Sequence, residues 1–309
     1  MAILTMLDQW KISSPGWVEA LAVGCGMAHR RRKTVKPFYP IPYELNAMDR
    51  VVKMLPYIGL PFFCNVCGRL SVATLYRRLL PHPESQLRES VNCLRCGASN
   101  RNRQVAALIC RSPHAKRKYA SLARFAKCER LAVYNTEAAR AIHNTLKTMP
   151  AGYVCSEYVD DRLESGARSG EVMHQDLMNT SFPDQSFDLV ITSDVLEHVS
   201  DPWVAFREIH RLLKPEGRHV FTIPFYQDRA STEIRARRNE RSEIEHVKEP
   251  FYHNDPLRPE GTLVYTIFSI DVLAKLETIG FHTVMYKLHN PLLGIYAQNA
   301  LVFESFKRA

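Results

Sequence analysis

Residues 171–225 constrain the fold of this chain more than any other stretch. Phe187-Asp188-Leu189-Val190-Ile191 is a short apolar, β-branched run introduced by the turn-forming Pro183-Asp184-Gln185-Ser186, the pattern of a buried strand. Asp201 and Pro202 supply a helix N-cap and a first-turn proline. Val204, Ile209, Leu212 and Leu213 recur at helical spacing, and Pro215-Glu216-Gly217 ends the helix. A second apolar run follows over 219–224. Strand, loop, helix, turn and strand make a βαβ unit, and such units build parallel sheets. The loop at 192–199 closes the first strand and carries Asp194, Glu197 and His198. In open α/β sheets, ligands sit at the carboxyl ends of strands.

Two Cys-x-x-Cys-Gly knuckles precede this unit: Cys64-Asn65-Val66-Cys67-Gly68 and Cys93-Leu94-Arg95-Cys96-Gly97. Each turn can place two thiolates on one tetrahedral ion, and the glycine lets the backbone fold under the metal. Cys64, Cys67, Cys93 and Cys96 are therefore the expected ligands of a zinc ion. Four thiolates leave no coordination position for water, so the site is expected to be structural, and so small a module depends on its ion to fold. Of the eight cysteines the other four are scattered, which suits a reducing compartment better than a disulfide framework.

With 309 residues the chain can form one large domain and a small one. The expected division is an N-terminal extension (1–58), the cysteine module with its connecting helix (59–112), and a large α/β domain (113–309). No apolar run approaches the roughly 20 residues that span a bilayer. Asp8, Lys11 and Glu19 interrupt the apolar part of the N-terminus and make it a poor secretory signal, so no membrane insertion and a cytoplasmic location are expected. The net charge of +9 is concentrated at 29–33, 101–103, 111–118 and 235–241. Such runs are either solvated faces or a surface for phosphate.

The segment FPDQSFDLVITSDVLEHV (182–199), followed by AFREIHRLLKPEGR (205–218), closely resembles the fourth strand, following helix and fifth strand of class I S-adenosylmethionine-dependent methyltransferases of type 11. CLRCGASNRNRQVAAL (93–108) and the phrase at 259–266 resemble a subset of these enzymes with an N-terminal zinc knuckle. The resemblance implies a Rossmann-like, doubly wound sheet with an antiparallel edge, a small N-terminal zinc-binding module, and S-adenosylmethionine as cofactor. It also implies that Tyr134-Asn135-Thr136-Glu137 stands where the family usually turns on Gly-x-Gly, and that this loop meets the cofactor. An earlier Gly24-Cys25-Gly26 is a decoy, because a basic cluster follows it instead of an acidic strand end. Glu157, at the end of an expected second strand and about 20 residues beyond Glu137, is placed to accept ribose hydroxyls. In the family an acid at the position of Asp176 contacts the adenine amino group, with the next backbone amide, here of Leu177, reading a ring nitrogen. Ser193 and Asp194 end the fourth strand, and Asp194 either touches the cofactor's amino-acid part or caps the loop.

Methyl transfer to oxygen needs a proton acceptor, and His198 is the first candidate; the alternative is a histidine packed under the cofactor. His253 and Asp255 are weaker candidates for substrate contact, and the histidines show no spacing for a catalytic metal. Helices are expected at 44–55, 101–110, 115–125, 137–146 and 269–279, with a polar, helix-prone insertion at 228–249. Strands are expected at 131–134, 153–156, 172–174, 281–288 and 296–304. The expected activity is methyl transfer to a small-molecule or glycan acceptor at oxygen. Two other readings stay open: a nucleic-acid methyltransferase using the basic module, and a scaffold that has kept the fold without catalysis. Oligomeric state is not legible.

Overall fold

Seven strands form the central sheet of the computed structural model, which describes residues 8–13, 61–74, 88–89, 91–112, 115–226, 229–255, 258–296 and 301–308. The readings at 21–26, 29–33, 39–42 and 44–55 lie outside the described residues. In chain order, β1 (Asp8–Ser13) precedes a three-stranded unit of β2 (Pro61–Cys64), β3 (Arg69–Thr74) and β4 (Asn92–Cys93), then helices α1 (Asn100–Arg111) and α2 (Leu122–Cys128). The next elements are β5 (Val133–Asn135), α3 (Arg140–Leu146), β6 (Tyr153–Cys155), the hairpin β7 (Arg168–Ser169) and β8 (Val172–Met173), β9 (Phe187–Ser193), α4 (Pro202–Leu212) and β10 (Leu213–Thr222). Short strands β11 (Glu233–Ile234), β12 (Ala236–Arg238), β13 (Ile244–His246), β14 (Tyr252–Asp255), β15 (Arg258–Leu263) and β16 (Thr266–Ile267) fill an insertion. Helix α5 (Val272–Ile279), β17 (Phe281–His289) and β18 (Leu301–Lys307) complete the chain.

The sheet order is β1-β17-β18-β10-β9-β5-β6. Strands β10, β9, β5 and β6 run parallel, whereas β18, β17 and β1 form the antiparallel edge. From β5 the chain winds outward to β6, and from β9 it winds the other way to β10. The switch point between β5 and β9 leaves a crevice at the strand ends.

Period-two alternation along the strands explains why helices cover both faces. Val133, Leu189, Ile191, Val220, Val284 and Val302 face one apolar cluster with α1, α2 and α3. Tyr134, Val190, Phe221, Met285 and Phe303 face the other, with α4 and α5. The first cluster also contains Phe62, Cys64, Val66, Cys93 and Ala98, so the cysteine unit shares its core with the sheet. Arg103, with no exposed surface, locks this junction: its guanidinium donates to the carbonyls of Ala98 (2.6 Å), Val91 (2.6 Å) and Gly294 (2.7 and 3.0 Å).

Several expected elements differ in the structure. The expected third strand at 172–174 is reduced to the hairpin strand β8 and one parallel bridge between Glu157 and His174. The helix expected at 115–125 begins only at Leu122, where the Ser121 hydroxyl accepts from the Arg124 amide. Helix α3 begins at Arg140 instead of 137. The insertion expected to be helix-prone is β structure. Asn239 Oδ1 accepts from the amides of Arg241 (2.9 Å) and Glu243 (3.0 Å), which turns the chain into a hairpin, and Arg237 pairs across it with Glu245 at 2.8 Å. The last strand begins at Leu301 instead of 296. Among the described residues no helix is long and apolar enough to cross a membrane.

Candidate functional site

The crevice at the switch point opens into a cavity of about 890 Å³. Its floor comes from the ends of β5, β6 and β9 and its roof from the insertion, and the polypeptide around the cysteines contributes Arg88, Glu89 and Arg101. Thr136, Glu137, Glu157, Asp176, Leu177, Ser193, Asp194, His198 and His253 all line it. Tyr134 and Asn135 do not. Tyr134 lies within β5, short of the strand's end, buried between Phe182 and Phe187 with its hydroxyl 2.7 Å from Ser156. The Asn135 amide donates to the Glu137 carbonyl (2.7 Å) and the Tyr153 hydroxyl (3.1 Å), which holds the loop shape.

At one end of the cavity Glu157 Oε1 accepts from the Ala138 amide at 2.8 Å, bringing the carboxylate under the β5 loop. Asp176 Oδ1 accepts from the Met178 amide at 2.8 Å, so its second oxygen is the one available to the cavity. The β5 loop has no glycine, yet it still makes a left-handed turn, and Arg140 occupies that conformation at φ 65°. Glu137 lies on the loop with Oε2 lacking any hydrogen-bond partner among the described residues. Burial pushes its carboxyl up to about 7, against the pull of Arg101 and Arg140.

Asp194, also left-handed at φ 55°, ends β9 and accepts a forked pair of bonds from Arg88 and one from Thr222 Oγ1 at 2.9 Å. Burial would raise this carboxyl, but Arg101 and Arg88 overcome it and hold it below the ordinary carboxylate range. Arg101 donates to Ser193 Oγ and grips Glu89 with two bonds of 2.6 and 3.0 Å. These two arginines are the site residues that sequence reasoning missed. The basic junction at 101–103 was visible, but nothing local shows which face of α1 it presents.

At the other end His198 Nδ1 lies 2.8 Å from the Leu263 carbonyl. A carbonyl can only accept, so Nδ1 carries the proton and the lone pair of the neutral ring sits on Nε2. His253, on β14, packs edge-on to this ring with centroids 5.1 Å apart. Glu197, fully buried between them, has both carboxylate oxygens without a hydrogen-bond partner among the described residues; its Oε1 lies 3.7 Å from His198 Nε2 and 3.7 Å from His253 Nδ1.

The cysteines converge on the far side of α1. Sulfurs of Cys64, Cys67, Cys93 and Cys96 all lie within 4.8 Å of one another, and those of Cys64 and Cys96 are 3.7 Å apart. A tetrahedral zinc ion with Zn–S of about 2.3 Å sets sulfurs about 3.8 Å apart. Gly68 and Gly97 take left-handed φ values of 73° and 72°, and their amides donate to the Cys64 and Cys93 carbonyls at 2.8 Å each. Without a cation the four cannot ionise together: the Cys96 thiol draws Cys64 down to about 5, while burial and the Cys64 charge push Cys67 up to about 11.

Residues 139–221 match the family described as a methyltransferase domain. Over this segment the chain is similar to a methyltransferase domain. Its fold is similar to that of an S-adenosylmethionine-dependent methyltransferase from Mesorhizobium loti, at 17% identity and TM-score 0.36, over 57% of this chain and 90% of that one. It is also similar to 1,6-didemethyltoxoflavin-N1-methyltransferase of Burkholderia thailandensis, solved with 1,6-didemethyltoxoflavin and S-adenosylhomocysteine bound, at 15% identity and TM-score 0.36, over 58% of this chain and 72% of that one. Comparison with curated proteins finds no match. The matched segment runs from the β5–α3 loop into the last residues of β10, and so contains Glu157, Asp176, Ser193, Asp194 and His198.

Proposed function

We propose that this protein is an S-adenosylmethionine-dependent methyltransferase acting on an oxygen of a small-molecule or glycan acceptor, with a structural zinc ion on Cys64, Cys67, Cys93 and Cys96. The observation that carries the reading is one continuous cavity lined by Glu157 and Asp176, in the loops after β6 and β8, and by His198 and His253 under the insertion. In this reading Glu157 accepts from the ribose hydroxyls, and Asp176 with the Leu177 amide holds the adenine. Arg101 takes over the task of the missing glycines. Glu89, half exposed, occupies its fork, and the cofactor's carboxylate would replace Glu89 there as a bidentate partner. Glu137 then faces the cofactor's ammonium group.

Methyl transfer is an in-line displacement in which the cofactor supplies the reactive carbon and the protein supplies position and dryness. The acceptor hydroxyl would lie near His198, whose Nε2 lone pair is held toward the cavity by the Leu263 carbonyl.

Three measurements test the reading. Glu157→Ala removes one or two charge-assisted hydrogen bonds worth about 1.5–3 kcal/mol each, so the Kd for S-adenosylhomocysteine in calorimetry should rise at least about tenfold; an unchanged Kd removes Glu157 from the site. Glu137 gives a pH signature. If only its ionised form pairs with the cofactor ammonium, a carboxyl titrating near 7 makes cofactor affinity climb about tenfold between pH 6 and 8. Glu137→Gln should flatten that profile, and a wild-type profile already flat would exclude the pairing. His198→Ala should lower turnover by about 10²–10⁴ with little change in cofactor Kd if it takes the acceptor proton. Equal losses in both would place it under the cofactor as packing.

The nucleic-acid reading loses support from burial. Arg101, Arg103 and Arg111 turn inward, with 7%, 0% and 8% of their surface exposed, so α1 offers no basic stripe to a phosphate backbone. Salt-dependent retention of RNA by the whole protein is the observation that would restore it.

A further inference from the structure

The Glu197 carboxylate is the one buried acid at the acceptor end that the methyl-transfer reading leaves without work. It has no exposed surface, both its oxygens lack hydrogen bonds among the described residues, and it lines the cavity. Neither neighbour can satisfy it as a neutral ring. The His198 proton is committed to the Leu263 carbonyl, and His253 Nδ1 stands 3.7 Å away, beyond hydrogen-bonding distance. The Glu197 oxygen and the two ring nitrogens lie within 4.8 Å of one another. A first-row divalent ion bound at about 2.0–2.2 Å to each would draw them only slightly closer.

We propose that Glu197, His198 and His253 form a second metal centre, a two-histidine, one-carboxylate site for a divalent transition ion whose open positions take an oxygen of the methyl acceptor. Two features beyond proximity support it. The His198 Nδ1–H bond to a backbone carbonyl fixes the tautomer that presents Nε2, as a backbone acceptor does for metal-bound imidazoles. The donor set of two imidazoles and one carboxylate suits zinc, cobalt, manganese or iron(II) better than magnesium or calcium. His253 comes from the β14–β15 hairpin and the other two from the loop after β9, so the ion would also pin the insertion over the cavity.

The proposal rests on the acceptor end assigned above and changes how the proton leaves. A hydroxyl bound to the ion loses its proton to solvent more readily than a free one. The resulting oxygen attacks the methyl carbon; the C–S bond breaks, and its electron pair returns to sulfur, giving the methyl ether, the neutral thioether and one proton. His198, as a ligand, then orients the acceptor and does not itself carry the proton.

The test uses the full-length protein with zinc on the four cysteines, which manganese does not displace from thiolates. Manganese(II) is titrated in while the free-ion signal is followed by electron paramagnetic resonance, and S-adenosylhomocysteine binding is measured in parallel. One manganese per chain is expected to bind to wild type and to Glu157→Ala. Glu197→Gln and His253→Ala should each weaken that binding at least about 100-fold. Should Glu197→Gln fail to fold, His253→Ala on the half-exposed hairpin decides alone. No uptake by folded wild type, or uptake undiminished in the folded variants, overturns the metal centre. If S-adenosylhomocysteine still binds in that case, the methyltransferase reading stands. Manganese uptake lost in the variants, with no cofactor binding to wild type, would keep the metal centre and refute the cofactor site.

Discussion

Replacing Cys96 by serine is expected to remove zinc from the protein and to abolish most of its affinity for S-adenosylhomocysteine, although Cys96 does not line the cofactor cavity. Metal-coupled folding of small thiolate sites involves about 10–16 kcal/mol of apparent binding free energy, more than a unit built on β2, β3 and β4 can recover by packing. The loss would not stop at the module. Cys64, Val66, Cys93 and Ala98 belong to the same apolar cluster as Val105, Ile109, Val220 and Val302. Arg101 and Arg103 start the helix that leaves the second knuckle, and Arg101 together with Arg88 reaches the end of β9. Without the ion, Arg101, which in the proposed function stands in for the glycine loop, loses its anchor. Elemental analysis should find about one zinc per wild-type chain and almost none in Cys96→Ser, with the cofactor Kd raised at least about tenfold and the melting transition broadened. Purified wild type free of zinc would refute the site, and a variant with unchanged affinity would refute the coupling.

The second large effect is expected at Arg103, which stability measurements can isolate from cofactor binding. Its side chain is fully buried and has no carboxylate partner among the described residues; it is satisfied by three backbone carbonyls and by the Phe62 ring, 4.6 Å from its guanidinium carbon. Burial lowers its pKa, while negative charge on Cys64, Cys93 and Cys96 works to raise it. A zinc–tetrathiolate centre carries net negative charge, so it would supply the counter-ion that this arginine otherwise lacks. Arg103→Ala takes the arginine's donors from the buried Val91 and Gly294 carbonyls, at about 1–3 kcal/mol each, while the Ala98 carbonyl keeps its bond from the Cys93 amide at 2.9 Å. Partial relaxation brings the expected cost to about 4 kcal/mol, a fall of about 10 °C in Tm. Arg103→Lys should recover little, because one ammonium cannot span Val91, Ala98 and Gly294 as the planar fork does. A Tm within a degree or two of wild type for either variant would show that the junction does not need its cation.

Where sequence reasoning succeeded, the signal was local. Asp201 caps α4 by accepting from the Trp203 and Val204 amides, and the paired knuckles carry their glycines at left-handed positions. Glu157, Asp176, Ser193 and Asp194 line the cavity because each lies at or within about three residues of a strand's end, and strand ends border the crevice; their contact with a cofactor is the proposal made above. It failed where the exact end of a strand or one tertiary partner decides. Tyr134 and Thr136 are two apart in a three-residue strand and its exit, yet the first is core and the second lines the cavity. The polar insertion reads as helix by composition but pairs as strands, because Asn239 turns the chain and Arg237 meets Glu245.

What the chain determined by itself is the βαβ frame, the four converging thiols and the acids at the strand ends. Each is built from short local motifs of a few residues, which propensity and capping control. Only the tertiary structure decided that Arg88 and Arg101 face Asp194 across the cavity, and that Glu197 and His198 meet His253. These groups lie on different elements, and their distances are set by how two cores pack against one sheet, a quantity with no local signature.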